Sequence, residues 1–182
     1  MTRYIAILFK VIALGLVTTT TAGPMIPISI DQLSSGSQLI VRGTVAGKSV
    51  QKDDEGRIYT RVDLSVKDVW KGTHSDDNLT IVHSGGILGN QWASAEGEVS
   101  YSLGEEVVVF LLINSRGEGV TRGMSQGKFH VHDETASGTQ YVQGLFHGGP
   151  PPKPGSNKGY RFPTQLPLTV DLLKRQVLKN NS

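Results

Sequence analysis

A chain of 182 residues with 37% hydrophobic and 19% charged residues can bury one core of ordinary size and is too short for two. The absence of cysteine excludes disulfides, thiolate metal sites, cysteine nucleophiles and cysteine-linked lipid anchors. Arg3 and Lys10 account for the whole formal excess of +2, so the rest of the chain is formally neutral and has no bulk electrostatic reason to seek nucleic acid or an anionic membrane.

Residues 1–22 read as a secretory signal, in which Arg3 and Lys10 flank or interrupt the apolar run 5–17 and Thr20-Thr21-Ala22 forms a small-residue cleavage site. Export to the periplasm or beyond follows, with a mature start near Gly23. The uninterrupted apolar part, 11–17, is far below the roughly 20 residues that span a bilayer, so no stable membrane anchor is expected once the signal is removed.

The 22 glycines, set against only 5 Phe, 5 Tyr and 2 Trp, favour many turns between short strands over a helical bundle. Ser29 and Gln32 fit a capping box opening a short helix that Gly36 would end. A first strand is expected over 38–50, with Leu39, Val41 and Val45 on one face and a mid-strand Gly43 marking a bend or close approach. After the turn at 53–56, Ile58, Thr60, Val62, Leu64 and Val66 alternate inward, and the phase then breaks. A β-bulge near Lys67 and Asp68 would keep Asp68 out of the core, return Val69 to it and let the strand curl. Strands follow at 78–83 and 106–113, the second apolar on both faces and so expected to be covered on both. Strands at 120–122 and 128–132 complete a small barrel of five to six strands in the domain 23–147, with a return strand near 140–142. Residues 148–163 read as a stiff Gly/Pro spacer, and 164–182 as a C-terminal helix. Thr169 would cap that helix, whose Leu172, Leu173 and Val177 would dock back on the barrel.

The segments LIVRGTVAGKSV, RIYTRVDLSVKDVWKG, NLTIVHSGG, GEEVVVFLLI and QGKFHVH resemble an uncharacterised exported bacterial β-barrel domain. The first two are also similar in order and spacing to the netrin module and the tissue inhibitors of metalloproteinases. The resemblance covers residues 38–132 and implies an all-β, OB-fold-like barrel and protein binding. It departs at one decisive place. Those inhibitors chelate the protease zinc through an amino-terminal cysteine, and this chain has none.

Several side chains invite a chemical reading. Gly123-Met-Ser125-Gln-Gly127 spells the G-x-S-x-G of a nucleophile elbow, but an elbow needs a strand before it and a helix after it, and here a strand follows at once. His130 and His132, two apart on a strand, leave the same face and could offer two metal ligands, with His83 as a third if its strand lies alongside. Asp53, Asp54, Asp76 and Asp77 lack the alternating spacing of a calcium loop and read as turn residues. OB-type barrels also bind single strands of nucleic acid, but export, neutrality and few strand aromatics oppose it here. The 84–103 connection is too long for a mere link and places Ile87, Leu88 and Trp92 among glycines. The expectation is therefore an exported, non-enzymatic module without a cofactor, binding another protein or a small ligand through that loop. The alternative is a hydrolase or metal-dependent enzyme built on Ser125 or on His130 and His132.

Overall fold

The computed structural model describes residues 25–94, 97–134, 138–151 and 165–180. The expected signal lies outside these, as do residues 152–163 of the expected spacer. In chain order the elements are α1 (Ile30–Gly36), β1 (Leu39–Lys52), β2 (Ile58–Lys71), β3 (Asn78–Ser84), β4 (Gly86–Leu88), β5 (Gln91–Ala93), β6 (Glu106–Ile113), β7 (Gly119–Thr121), a 3₁₀ turn (Met124–Gly127), β8 (Lys128–Asp133), β9 (Gln140–Gln143) and α2 (Val170–Lys179).

Five strands close a ring in the order β1-β2-β3-β7-β6, because β1 pairs with both β2 and β6. This is the small all-β barrel that the alternation predicts. β1 serves two partners by being long: its first half pairs with β6, and nearly its whole length pairs with β2. Such a strand must bend, and its ladder with β2 shifts register three times. At the middle shift Arg42 faces Asp68 and Gly43 faces Val66, which leaves Lys67 as the extra residue of the expected bulge. Gly43 is needed there, since a Cβ at this position would come within 2.4 Å of the Ser65 carbonyl oxygen.

The alternation fills two cores, one on either side of the sheet. Inside the ring lie Leu39, Val41, Val45, Val62, Leu64, Leu79, Ile81, Val107, Val109 and Leu111. Outside it, Ile40, Trp70, Val108, Phe110, Phe129 and Val142 pack under the two helices. β6 contributes to both cores, which explains its apolar run.

The capping box of α1 forms as expected, Ser29 Oγ accepting from Gln32 N and Gln32 Oε1 from Ser29 N. The far end of α1 is served by Lys71, whose ammonium donates to the Ser34 carbonyl at 2.7 Å. α2 docks on the outer core through two of the three expected residues, Leu173 and Val177, joined by Val170, while Leu172 is exposed. Leu172 is one residue, about 100° of helix rotation, from Leu173 and so turns off the face that Val170, Leu173 and Val177 share. Asp68 fixes that docking by accepting from Trp70 Nε1 at 2.8 Å and from Lys174 Nζ of α2 at 2.5 Å. The start of the expected spacer also differs, for Gly148 and Gly149 are buried and Gly149 N donates to Val142 O. This segment thus adds to the sheet instead of leaving it.

Candidate binding cleft

The 84–103 connection divides into two parts with different work. Its first part folds as the β4–β5 hairpin, in which Ile87 lies directly opposite Trp92 and Leu88 opposite Gln91. The two-residue turn Gly89-Asn90 needs a positive φ at its first residue, met by Gly89 at 58°. Successive strand residues face opposite ways, so Ile87 and Trp92 share one face and Leu88 takes the other. Ile87 and Trp92 are each 74% exposed, and Leu88 is half-buried. Trp92 therefore does not close the barrel. That work falls to the second part of the connection, where Val99 and Tyr101 enter the inner core. The Tyr101 hydroxyl meets Thr121 Oγ1 at 2.6 Å, and burial pushes its phenol well above the ordinary range.

The hairpin stands beside the rim of β1, β2 and β3 and bounds a cleft of about 570 Å³. Lys48, Thr60, His83, Trp92, Glu98 and Val99 are among its walls. Gly85 and Gly86 set the hairpin against this rim, with φ of 80° and 134°. A Cβ on Gly86 would meet Thr60 Oγ1 at 2.7 Å, so the close approach requires glycine.

His83 and Glu98 are mostly buried and pair at 2.9 Å through His83 Nδ1. The same nitrogen lies 2.8 Å from the Ser84 carbonyl oxygen. Two acceptors around Nδ1 assign the proton to it, which leaves Nε2 of the neutral ring as an acceptor. Nε2 is buried and has no hydrogen-bond partner. Thr60 Oγ1 donates to Gly85 O at 2.7 Å, and Lys48 Nζ donates to Tyr101 O at 3.1 Å.

The other sequence candidates lie elsewhere. His130 and His132 do share a face of β8, with ring centroids 6.1 Å apart, but β8 and β3 are not neighbours in the sheet, so the condition for adding His83 as a third ligand fails. Among the described residues no three histidine, aspartate or glutamate side chains assemble to hold a metal ion. His130 Nδ1 instead lies 3.1 Å from Glu105 Oε2, while Glu105 Oε1 accepts from the buried Lys128 at 2.5 Å. Lys128 also sits 4.7 Å from the centre of the Tyr101 ring. Burial pulls the Lys128 ammonium below its ordinary pKa against the pull of Glu105. Ser125 occupies the 3₁₀ turn, its amide donating to Gly97 O, and strand β8 follows directly. Its setting is not that of an elbow. Asp53 serves a turn, accepting from the amides of Glu55 and Arg57.

Sequence reasoning missed Glu98, Lys48 and Thr60 as cleft residues. Lys48 and Thr60 carried only strand alternation, and Glu98 sits in a stretch with no periodicity at all. No protein-family model matches the chain, and a search of curated proteins finds no significant match.

Proposed function

We propose that this chain is an exported, non-enzymatic binding module whose partner is another exported protein, gripped through the β4–β5 hairpin. The observation that carries the reading is the cross-strand pair Ile87 and Trp92, each 74% exposed on a hairpin braced against a barrel. Large apolar side chains held this far out serve as interface anchors, and tryptophan is enriched among them. Export rests on the charged, apolar and small-residue order of residues 1–22. A zinc-chelating inhibition of the tissue-inhibitor kind forms no part of the proposal, since the cysteine it needs is absent.

The test is a comparison of the wild type with Trp92→Ala. Because Trp92 is exposed, its loss should leave the unfolding free energy within about 1 kcal/mol of the wild type in denaturant titrations. Affinity capture from the exported fraction should retain a protein with the wild type and lose it with the variant. An unchanged capture profile would remove the hairpin from the functional account.

A further inference from the structure

The cleft behind the hairpin has a chemistry of its own that does not depend on a protein partner. Its volume of about 570 Å³ is that of a small-molecule site, and Val50, Ile87, Trp92 and Val99 give it apolar walls. One charge of each sign reaches it, Lys48 and Glu98, and Glu98 is engaged by His83. Among the described lining residues no net charge is therefore offered to a ligand. The His83 ring in its wall has Nδ1 committed to Glu98 and Ser84, and its Nε2 is the one histidine nitrogen among the described residues that is buried without a hydrogen-bond partner. A buried polar atom left unpaired is unusual in folded proteins and marks a place where a partner belongs.

We propose that this cleft binds a small, neutral, ring-sized apolar molecule bearing a hydroxyl or N–H group, which donates its proton to His83 Nε2 while Trp92 and Ile87 cover its apolar body. The donor requirement comes from the tautomer that Glu98 and Ser84 impose on the ring. The size and apolarity come from the walls. Gly85 and Gly86 join the cover to β3, and a two-stranded hairpin standing alone has little stability of its own, so the hairpin is the part of the site that can yield to admit a ligand.

The experiment uses the full chain, with 2-naphthol as the probe and naphthalene as its match without the hydroxyl. Affinities are read from amide and Trp92 indole shifts in NMR titrations. Binding of 2-naphthol at least tenfold tighter than naphthalene is expected, with the histidine ¹⁵N spectrum showing the Nε2 signal of His83 moving as the probe saturates. In His83→Leu the two probes should bind equally. The histidine spectrum of the wild type makes the test independent of whether that variant folds. Equal affinities in the wild type, a hydroxyl preference that survives in His83→Leu, saturation without movement of the His83 signal, or no binding of either probe would each overturn the proposal. None of these outcomes bears on protein capture through Trp92, so the two readings fail separately.

Discussion

At the scale of single residues, side-chain direction along β2 decides what a substitution costs. Leu64 is fully buried in the inner core and Ser65, its neighbour, faces solvent. Leu64→Asp buries a charge with no partner and is expected to cost about 3 kcal/mol or more, whereas Ser65→Asp should cost under about 1 kcal/mol. Chemical denaturation of the two variants checks this, and equal losses would mean that the strand's faces are assigned wrongly. The same alternation made Val62 and Leu64 legible as core from the sequence. It could not reveal Glu98, whose meeting with His83 depends on how the 84–103 connection folds back over β3.

At the scale of elements, α2 shows where a local pattern falls short. Leu172, Leu173 and Val177 make an apolar stripe on paper, but the stripe that packs is Val170, Leu173 and Val177. Helix residues three and four apart share a face, so Val170, Leu173 and Val177 line up, whereas Leu172, one residue from Leu173 and five from Val177, falls to the side. Leu173→Ala should therefore cost about 2–5 kcal/mol by leaving a cavity under the helix, and Leu172→Ala under about 1 kcal/mol. Thermal melts of the two variants separate these outcomes. The hairpin makes the opposite case: Gly89-Asn90 between short apolar pairs is a turn signal, yet it sits in a stretch too glycine-rich to read as strands without the paired register.

At the scale of the whole molecule, charges that bridge the elements make stability depend on pH. Burial opposes the charged forms of Asp68, Glu105 and Glu106, but hydrogen bonds outweigh it: from Lys174 and Trp70 on Asp68, from His130 and Lys128 on Glu105, and from Lys67 and Arg42 on Glu106. All three carboxyls sit below their ordinary range, Glu105 at about 2. Their contribution is complete above the unfolded value, 4.5 for a glutamate, and is lost as the pH falls toward the folded one. His132 is lowered below 6.5 by burial and then by the neighbouring His130, so its neutral form is favoured by folding and stability also falls as the pH drops below 6.5. The melting temperature should thus decline in two stages on acidification. His132→Gln should flatten the first stage and Glu105→Gln should weaken the second. A profile in which both variants keep the wild-type slope would show that these groups do not carry the dependence.

The sequence by itself determined the strands of the main sheet and the faces of β1 and β2, because a period of two is a local property that any buried sheet must satisfy residue by residue. It also determined that β6 would be covered on both sides, and that the long β2 would need an extra residue near Lys67 to keep Asp68 out of the core. Ring closure was decided only in three dimensions, because β1 must bend far enough to reach both β2 and β6, and Val99 and Tyr101 fill the interior from a segment with no periodic signature. The cleft belongs to that second category. Lys48, Thr60, His83 and Glu98 come from separate parts of the chain, and only the packing of the hairpin against the barrel rim places them around one space.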